Sequence, residues 1–403
     1  MADDRQGGQG ARDGCAADGS RYKEPAPFTV TAQGQHLTFL AGGADRREVL
    51  MELVGSARRS LKLCFYIFVE DAIGTALRDA LIGAAKRGVA VDLGVDSFGA
   101  DLSDEFLAPL LAAGVKFRCF GKRLTQRYLI RNHQKMVIAD DARAMFGGFN
   151  IEDDYFAPPR DNGWSDLGIA LEGSAVAGLV DWFAKLMAWA DDEDASFRAV
   201  RRTVREWEWA EGDGCRWLVG GPSRHLSSWA RCVSYDLDEG DRLDMFMAYF
   251  SPPKKLLKRI GTIARKGQTR LIMAAKSDNN ATIGASRSLY HYLLGHGAEI
   301  YEFTPCKLHT KLIVLDDAVY IGSANFDMRS LFINLEIVLR IEDAALADRM
   351  REFIAYQIAA SRKITPELHR RRATLWNRIR WNLGWMLVSV IDYTITRRLN
   401  LGL

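Results

Sequence analysis

"NHQKMVIADDARAMFGGFN", residues 132–150, sets a histidine two places before a lysine, an aspartate five places further on, and then a glycine pair and an asparagine. The run after the lysine, "MVIA", is short, apolar and partly β-branched, and reads as a buried strand. His133 and Lys135, two apart on such a strand, point to one face. The second apolar run, "AMFGG", completes a hairpin, and its glycines let the backbone come close to a neighbour.

The order returns 176 residues later: residues 308–325 read "LHTKLIVLDDAVYIGSAN". The first copy offers His133, Lys135, Asp140, Gly147 and Asn150; the second offers His309, Lys311, Asp316, Gly322, Ser323 and Asn325. A lone HxK carries little information. The full frame arises by chance at roughly one position in a hundred thousand from ordinary residue frequencies, so two copies point to a duplicated domain.

The flanks repeat as well. "LTFLAG", "ADRREVLMELVGSARR", "SLKLCFYIF", "AIGTALRDALIGAAKRG" and "VAVDLGVD" alternate strand and helix from residue 37, and "DRLDMFMAYF", "PPKKLLKRIGTIARKG", "QTRLIMAAKSD", "ATIGASRSLYHYLLGHG" and "AEIYEF" repeat the alternation before the second motif. Gly88 then matches Gly267, and Gly114 matches Gly297. This is an α/β pattern of two similar domains, 37–210 and 211–365, each with its own sheet and helices. A pseudo-two-fold axis between them brings both histidines into one cleft. Residues 1–36 read as a disordered or extended segment, since the start is rich in Gly, Asp and Ala and has no apolar signal stretch.

A neutral imidazole, an ammonium and an amide, present twice, suit an anion such as a phosphodiester. One histidine attacks phosphorus while the other protonates the leaving alkoxide. Lys135, Lys311, Asn150 and Asn325 are placed to hold the non-bridging oxygens and offset charge in the transition state. No metal or other cofactor is expected, because no carboxylate or Cys/His cluster has ligand spacing. The six cysteines form no CxxC pair and read as reduced thiols, which fits the cytoplasm. With 54 Lys and Arg against 51 Asp and Glu, overall charge forces no nucleic-acid partner, and none is expected.

With these motifs, and with "DLSDEFLAPLLAAGVKF", "WSDLGIALEG" and "SANFDMRSLFINLEI", the sequence resembles the phospholipase D superfamily, and within it the bacterial cardiolipin synthases. The resemblance implies two phospholipase D-type domains with mixed sheets flanked by helices, and a phosphatidyl-histidine intermediate on His133 with His309 as acid and then base. It also implies a carboxylate further along each half that orients a histidine, the role that Asp166 and Glu336 fit. Two departures stand out. Gly148 replaces the family's usual serine, for which Ser323 is the counterpart, and both are expected at the substrate phosphate. The second copy is also one residue shorter after Asp316, which shifts register unless the turn at Asp317 and Ala318 absorbs it, and leaves open whether Asp316 or Asp317 is the motif aspartate.

Residues 366–403 form a basic tail. From Arg362 to the end nine Lys and Arg face two acids, and Trp376, Trp381 and Trp385 lie among the arginines as interfacial anchors do. The apolar stretch 381–395 is too short for a usual span, and the segment reads as an in-plane helix on anionic lipid, with a helix packed on the protein as the alternative. The expected reaction is phosphatidyl transfer from phosphatidylglycerol at the cytoplasmic side of the inner membrane. Hydrolysis of a phospholipid or nucleic acid, and a lipid-binding scaffold with a decayed site, are the rivals.

Overall fold

The computed structural model describes residues 22–121, 130–192, 197–222 and 226–388. The first half contains β1 (Phe28–Ala32), β2 (Gln35–Leu40), β3 (Ser60–Phe65), β4 (Ala90–Asp96), β5 (Lys116–Phe120), β6 (Met136–Ala139), β7 (Arg143–Gly147), the two-residue β8 (Trp164–Ser165) and β9 (Gly168–Glu172). The second has β10 (Trp209–Glu211), β11 (Cys215–Gly220), β12 (Leu243–Met247), β13 (Phe250–Ser251), β14 (Thr269–Ala274), β15 (Glu299–Phe303), β16 (Lys307–Leu308), β17 (Lys311–Leu315), β18 (Ala318–Gly322), β19 (Phe326–Asp327), β20 (Glu336–Glu342) and β21 (Ser361–Ile364).

One sheet runs β1-β2-β9-β7-β6-β3-β4-β5 and the other β10-β11-β20-β18-β17-β12-β14-β15-β21. Strand for strand the first eight positions match, so the duplication seen in sequence is a duplication of topology. Both sheets are mixed: β3, β4 and β5 run parallel, as do β12, β14 and β15, while the motif hairpins β6–β7 and β17–β18 are antiparallel. The first sheet starts before residue 37, since β1 pairs with β2 from Phe28 onward; the sequence underrates it because its burial is only partial.

Helices Ala72–Lys86 and Asp104–Ala112 provide the crossovers, N-capped by Asp71 and Ser103 and ended by Gly88 and Gly114 at φ of +91° and +87°. Gly297 repeats this geometry at φ +93°, but Gly267 is extended, so its match to Gly88 is one of position only. Each sheet packs helices on its outer face. The inner faces meet in one core with helices Val176–Asp191 and Ala344–Ala359, where Phe146 and Trp217 lie edge to face at 4.9 Å.

The length difference between the motifs is absorbed in the hairpin turn. Ala139 pairs with Arg143 and Leu315 with Ala318, so three residues turn the first hairpin and two, Asp316 and Asp317, turn the second. Ala318 is already in the strand. The motif aspartates sit at this turn, at the end of the strand away from the histidines. Asp140 (φ +55°) accepts the backbone N–H groups of Arg58, Arg59 and Ser60 at 2.6–3.1 Å, and Asp316 (φ +47°) accepts those of Asp241 and Arg242 at 2.9–3.3 Å. Asp316, not Asp317, is thus the counterpart of Asp140. The motif groups both with the catalytic residues, but they lie away from the histidines and tie down the loop that enters the adjacent antiparallel strand, β3 or β12.

Replacing Asp140 or Asp316 by alanine leaves these donors without their acceptor, and we expect a stability loss of about 1–3 kcal/mol in urea titration. The folded fraction should keep its turnover within about twofold; a loss of a hundredfold with unchanged stability would place these aspartates back in the chemistry.

Candidate active site

The two histidine-bearing segments are held by backbone pairing between the halves. His133 N–H donates to Leu335 O at 3.0 Å and Leu335 N–H to Arg131 O at 2.9 Å; His309 and Thr310 N–H both donate to Ser165 O, at 2.8 and 3.1 Å, and β8 pairs with β16. Leu335 and Ser165 immediately precede Glu336 and Asp166. The carboxylates therefore reach the histidines of the opposite half: Glu336 lies 3.0–3.1 Å from His133 Nδ1, and Asp166 Oδ2 lies 2.7 Å from His309 Nδ1. The sequence identified the four residues; that the pairs cross between the halves is legible only in the fold.

With Nδ1 directed at a carboxylate, each ring carries its proton there and presents the Nε2 lone pair to the cavity. Burial drives both pKa values down, to about 4 for His133, where Lys135 and Lys311 add to the effect, and to about 3 for His309, where Lys311 lies 3.0 Å from Nδ1. Both rings are neutral at pH 7. Burial also lowers Lys135 to about 7 and Lys311 to about 8, with the carboxylates opposing the shift. Burial pushes Asp166 upward, but His309 and Lys311 outweigh it and hold its carboxyl below the ordinary range.

The histidines open on a cavity of about 810 Å³ shared by both halves. Asn150 and Asn325 line it. Asn150 is committed, accepting from Ile67 N–H at 3.1 Å and donating to Tyr155 OH at 3.0 Å, whereas Asn325 Oδ1 is buried without a partner. Lys135 and Lys311 lie beneath the floor, each donating Nζ to the carbonyl of its own histidine.

Ser323 and Gly148 are corrected. Neither lines the cavity. Ser323 is fully buried and donates Oγ to Glu336 Oε2, while Ser330 donates to Oε1 at 2.8 Å. A Cβ at Gly148 lands 2.5 Å from Asp166 Oδ1, so the shorter carboxylate and the missing side chain go together. Gly147 and Gly322 are required beside them, because a Cβ there overlaps the carbonyl oxygen of Leu167 or Ile337.

Several site residues lay outside the sequence reading. Tyr155 OH is 3.4 Å from His309 Nε2, and its ring stacks on Trp164. Arg131 and Arg329 also line the cavity, with Asp327, whose carboxyl burial pushes up to about 6. Arg46 is fully buried and donates to the carbonyls of Ala41, Tyr155 and Asp166, which fixes the segment that carries Asp166. The "NFDMR" that continues the second motif was a signal for Asp327 and Arg329; nothing local marked Arg46.

A family model described as cardiolipin synthase, phospholipase D-like domain, matches residues 50–185 and 237–357. The chain is 29% identical to cardiolipin synthase B of Escherichia coli K12 over 356 residues, 86% of each protein, and 28% identical to a cardiolipin synthase of Clostridium perfringens over 81% of this chain and 71% of that one. Among solved structures, a phosphatidylserine synthase of Haemophilus influenzae superposes with a TM-score of 0.73 at 12% identity, covering 92% of this chain and 96% of that one, a likeness of fold.

Changing Glu336 to Gln keeps the shape but removes the negative charge and lets an amide N–H turn to Nδ1 and favour the wrong tautomer, and turnover should fall about a hundredfold or more. For the free enzyme, kcat/KM should rise with pH through about 4, as His133 loses its proton, and fall between about 7 and 8 as Lys135 and Lys311 neutralise. A profile flat to pH 10 would remove the lysines from substrate binding.

Proposed function

This chain belongs to the cardiolipin synthase family with phospholipase D-like domains, and its activity is phosphatidyl transfer; from that premise we propose that His133 is the nucleophile and phosphatidylglycerol the donor. The observation that carries the assignment is the contrast at Nε2. Among the described residues His133 hydrogen-bonds through Nδ1, to Glu336, and its Nε2 makes no side-chain hydrogen bond, while His309 Nε2 faces the Tyr155 hydroxyl.

In this reading His133 Nε2 attacks phosphorus and the P–O bond to the headgroup breaks. His309, protonated, gives its proton to the departing glycerol oxygen. The diester brings the negative charge that favours a protonated imidazole in a site where both rings are neutral when empty. Neutral His309 then takes the proton from the hydroxyl of a second phosphatidylglycerol, whose oxygen attacks the phosphatidyl group and releases His133. Lys135, Lys311 and Asn325 supply positive potential and an amide to the phosphoryl oxygens.

The membrane surface supplies donor and acceptor. No helix of the described residues is long and apolar enough to cross a membrane. Helix Leu375–Met386 packs one face, Trp381 and Gly384, on helix Asn280–Gly295, and leaves Leu375, Trp376, Ile379 and Leu383 exposed on another. Trp381 is therefore a packing residue and Trp376 the exposed anchor. Leu387 and Val388, which follow this helix, line the catalytic cavity, so an apolar surface adjoins its mouth. Residues 389–403, including Asp392, lie outside the described residues.

Phosphatidylglycerol vesicles should yield cardiolipin and glycerol, followed by mass spectrometry; phosphatidic acid as the dominant product would make the protein a hydrolase. Acid quench of His309→Ala with phosphatidylglycerol should leave a phosphatidyl mass on the peptide that contains His133, and a label on any other residue refutes the assignment. Leu375→Ser/Trp376→Ser/Ile379→Ser should weaken sedimentation with anionic vesicles by about tenfold or more, since each buried apolar side chain contributes over 1 kcal/mol.

A further inference from the structure

A second cavity, about 330 Å³, lies between the C-terminal helices and helix Asn280–Gly295 and shares no lining residue with the catalytic one. Arg287, Arg370 and Arg378 line it, and no carboxylate does. His291, His369 and Trp381 form a stacked column along it, with centroid spacings of 6.5 and 5.6 Å.

The positive charge here is poorly compensated. Behind the wall, Glu302 alone serves Arg287, Arg362 and Arg372, at 2.8, 2.6 and 3.2 Å. Arg370 meets only the exposed Glu367, a pair of little worth in water. Arg378 has no carboxylate partner among the described residues and donates Nε to the carbonyl of Ala373. Burial, together with His291 and Arg378, holds His369 below the usual imidazole range, so its ring adds no charge of its own.

A further observation points to a ligand. Trp381 is only 5% exposed, and its indole N–H has no acceptor. A buried donor without a partner costs about 1–3 kcal/mol, and the Trp381 side chain that carries it lines a cavity rich in guanidinium donors. The acceptor that such a wall lacks is an anion with several oxygens, for which arginine forks are matched.

We infer that this cavity is a second phosphate site, distinct from the catalytic one, which receives the phosphate of an anionic phospholipid headgroup. The lipid source rests on the membrane-surface reading above: Leu375, Trp376 and Ile379 are exposed on the helix that carries Arg378, so a phosphate held by Arg370 and Arg378 places its acyl chains beside that apolar face. The site anchors the C-terminal helix, whose end reaches the catalytic mouth.

The test compares two double variants of the full-length protein with the same loss of charge, Arg370→Gln/Arg378→Gln in the cavity and Arg371→Gln/Arg380→Gln outside its lining. Sedimentation with phosphatidylglycerol vesicles is measured at roughly 0.5 M salt, where exposed charges are screened. The cavity pair should weaken binding about tenfold, the worth of one charged hydrogen bond, and the outer pair less than about twofold. Arg378→Lys, which keeps the charge, should recover most of the binding, and matched thermal melts exclude unfolding; should the cavity pair melt early, Arg378→Gln alone carries the comparison. Equal losses in both pairs overturn the site while leaving the membrane reading intact. No sedimentation of wild type even at low salt overturns the membrane reading instead. In that case calorimetry with inorganic phosphate decides: a heat lost only in the cavity pair makes this a site for free phosphate, and identical heats in all proteins end the proposal.

Discussion

Each histidine's Nδ1 rests on a carboxylate that belongs to the other half, and this exchange constrains everything around it. Glu336 and Asp166 are fully or nearly fully buried, and a buried carboxylate that loses its partners costs several kcal/mol. The halves cannot shift against one another without breaking both pairs. The ladders at Leu335 and Ser165, one residue before each carboxylate, and the common core between the sheets fix that relation. Neither domain holds a complete site, so the duplication is functional only as a pair.

The charge balance of the empty site follows from the same exchange. Two lysines face two carboxylates and both imidazoles are neutral, so these six groups carry no net charge when both lysines are protonated. Burial leaves the lysines only weakly committed to the charged form. A phosphodiester changes this, since its negative charge favours protonated lysines and a protonated histidine together. In the proposed mechanism substrate binding itself therefore supplies the acid that the first step consumes.

Much of this was legible in the sequence because the chemistry repeats. The two frames gave the histidines, lysines and asparagines, and the alternation of period-2 and period-3.6 segments gave the α/β halves. What misled was the assumption that every residue of a motif faces the ligand. Asp140 and Asp316 are fixed in spacing by a hairpin turn and a loop that needs acceptors, a backbone requirement that looks the same in sequence as a catalytic one. Gly148 and Ser323 are fixed by the carboxylates behind them. Arg46 and Tyr155 were invisible because the partners that give them a role, Tyr155 O and Asp166 O for Arg46 and His309 for Tyr155, lie more than a hundred residues away, and only the tertiary fold brings them together.

The two halves are not equal, and their differences divide the labour. Glu336 shares its charge with the hydroxyls of Ser323 and Ser330, and its contact with His133 is 3.0–3.1 Å. Asp166 faces Gly148, which has no hydroxyl to offer, and receives its only side-chain hydrogen bond among the described residues from His309, at 2.7 Å. His309 is nonetheless the harder ring to protonate when the site is empty, at about 3 against about 4 for His133, because Lys311 stands 3.0 Å from its Nδ1 and opposes the carboxylate. In the proposed assignment a proton reaches His309 once the bound diester offsets that lysine, while His133, on a carboxylate shared with two hydroxyls, meets phosphorus as a neutral ring. The serine that the first motif lacks is thus a difference with a structural consequence: its absence leaves Asp166 to His309 and the backbone N–H of Leu167, and its presence in the second motif divides Glu336 among three side chains.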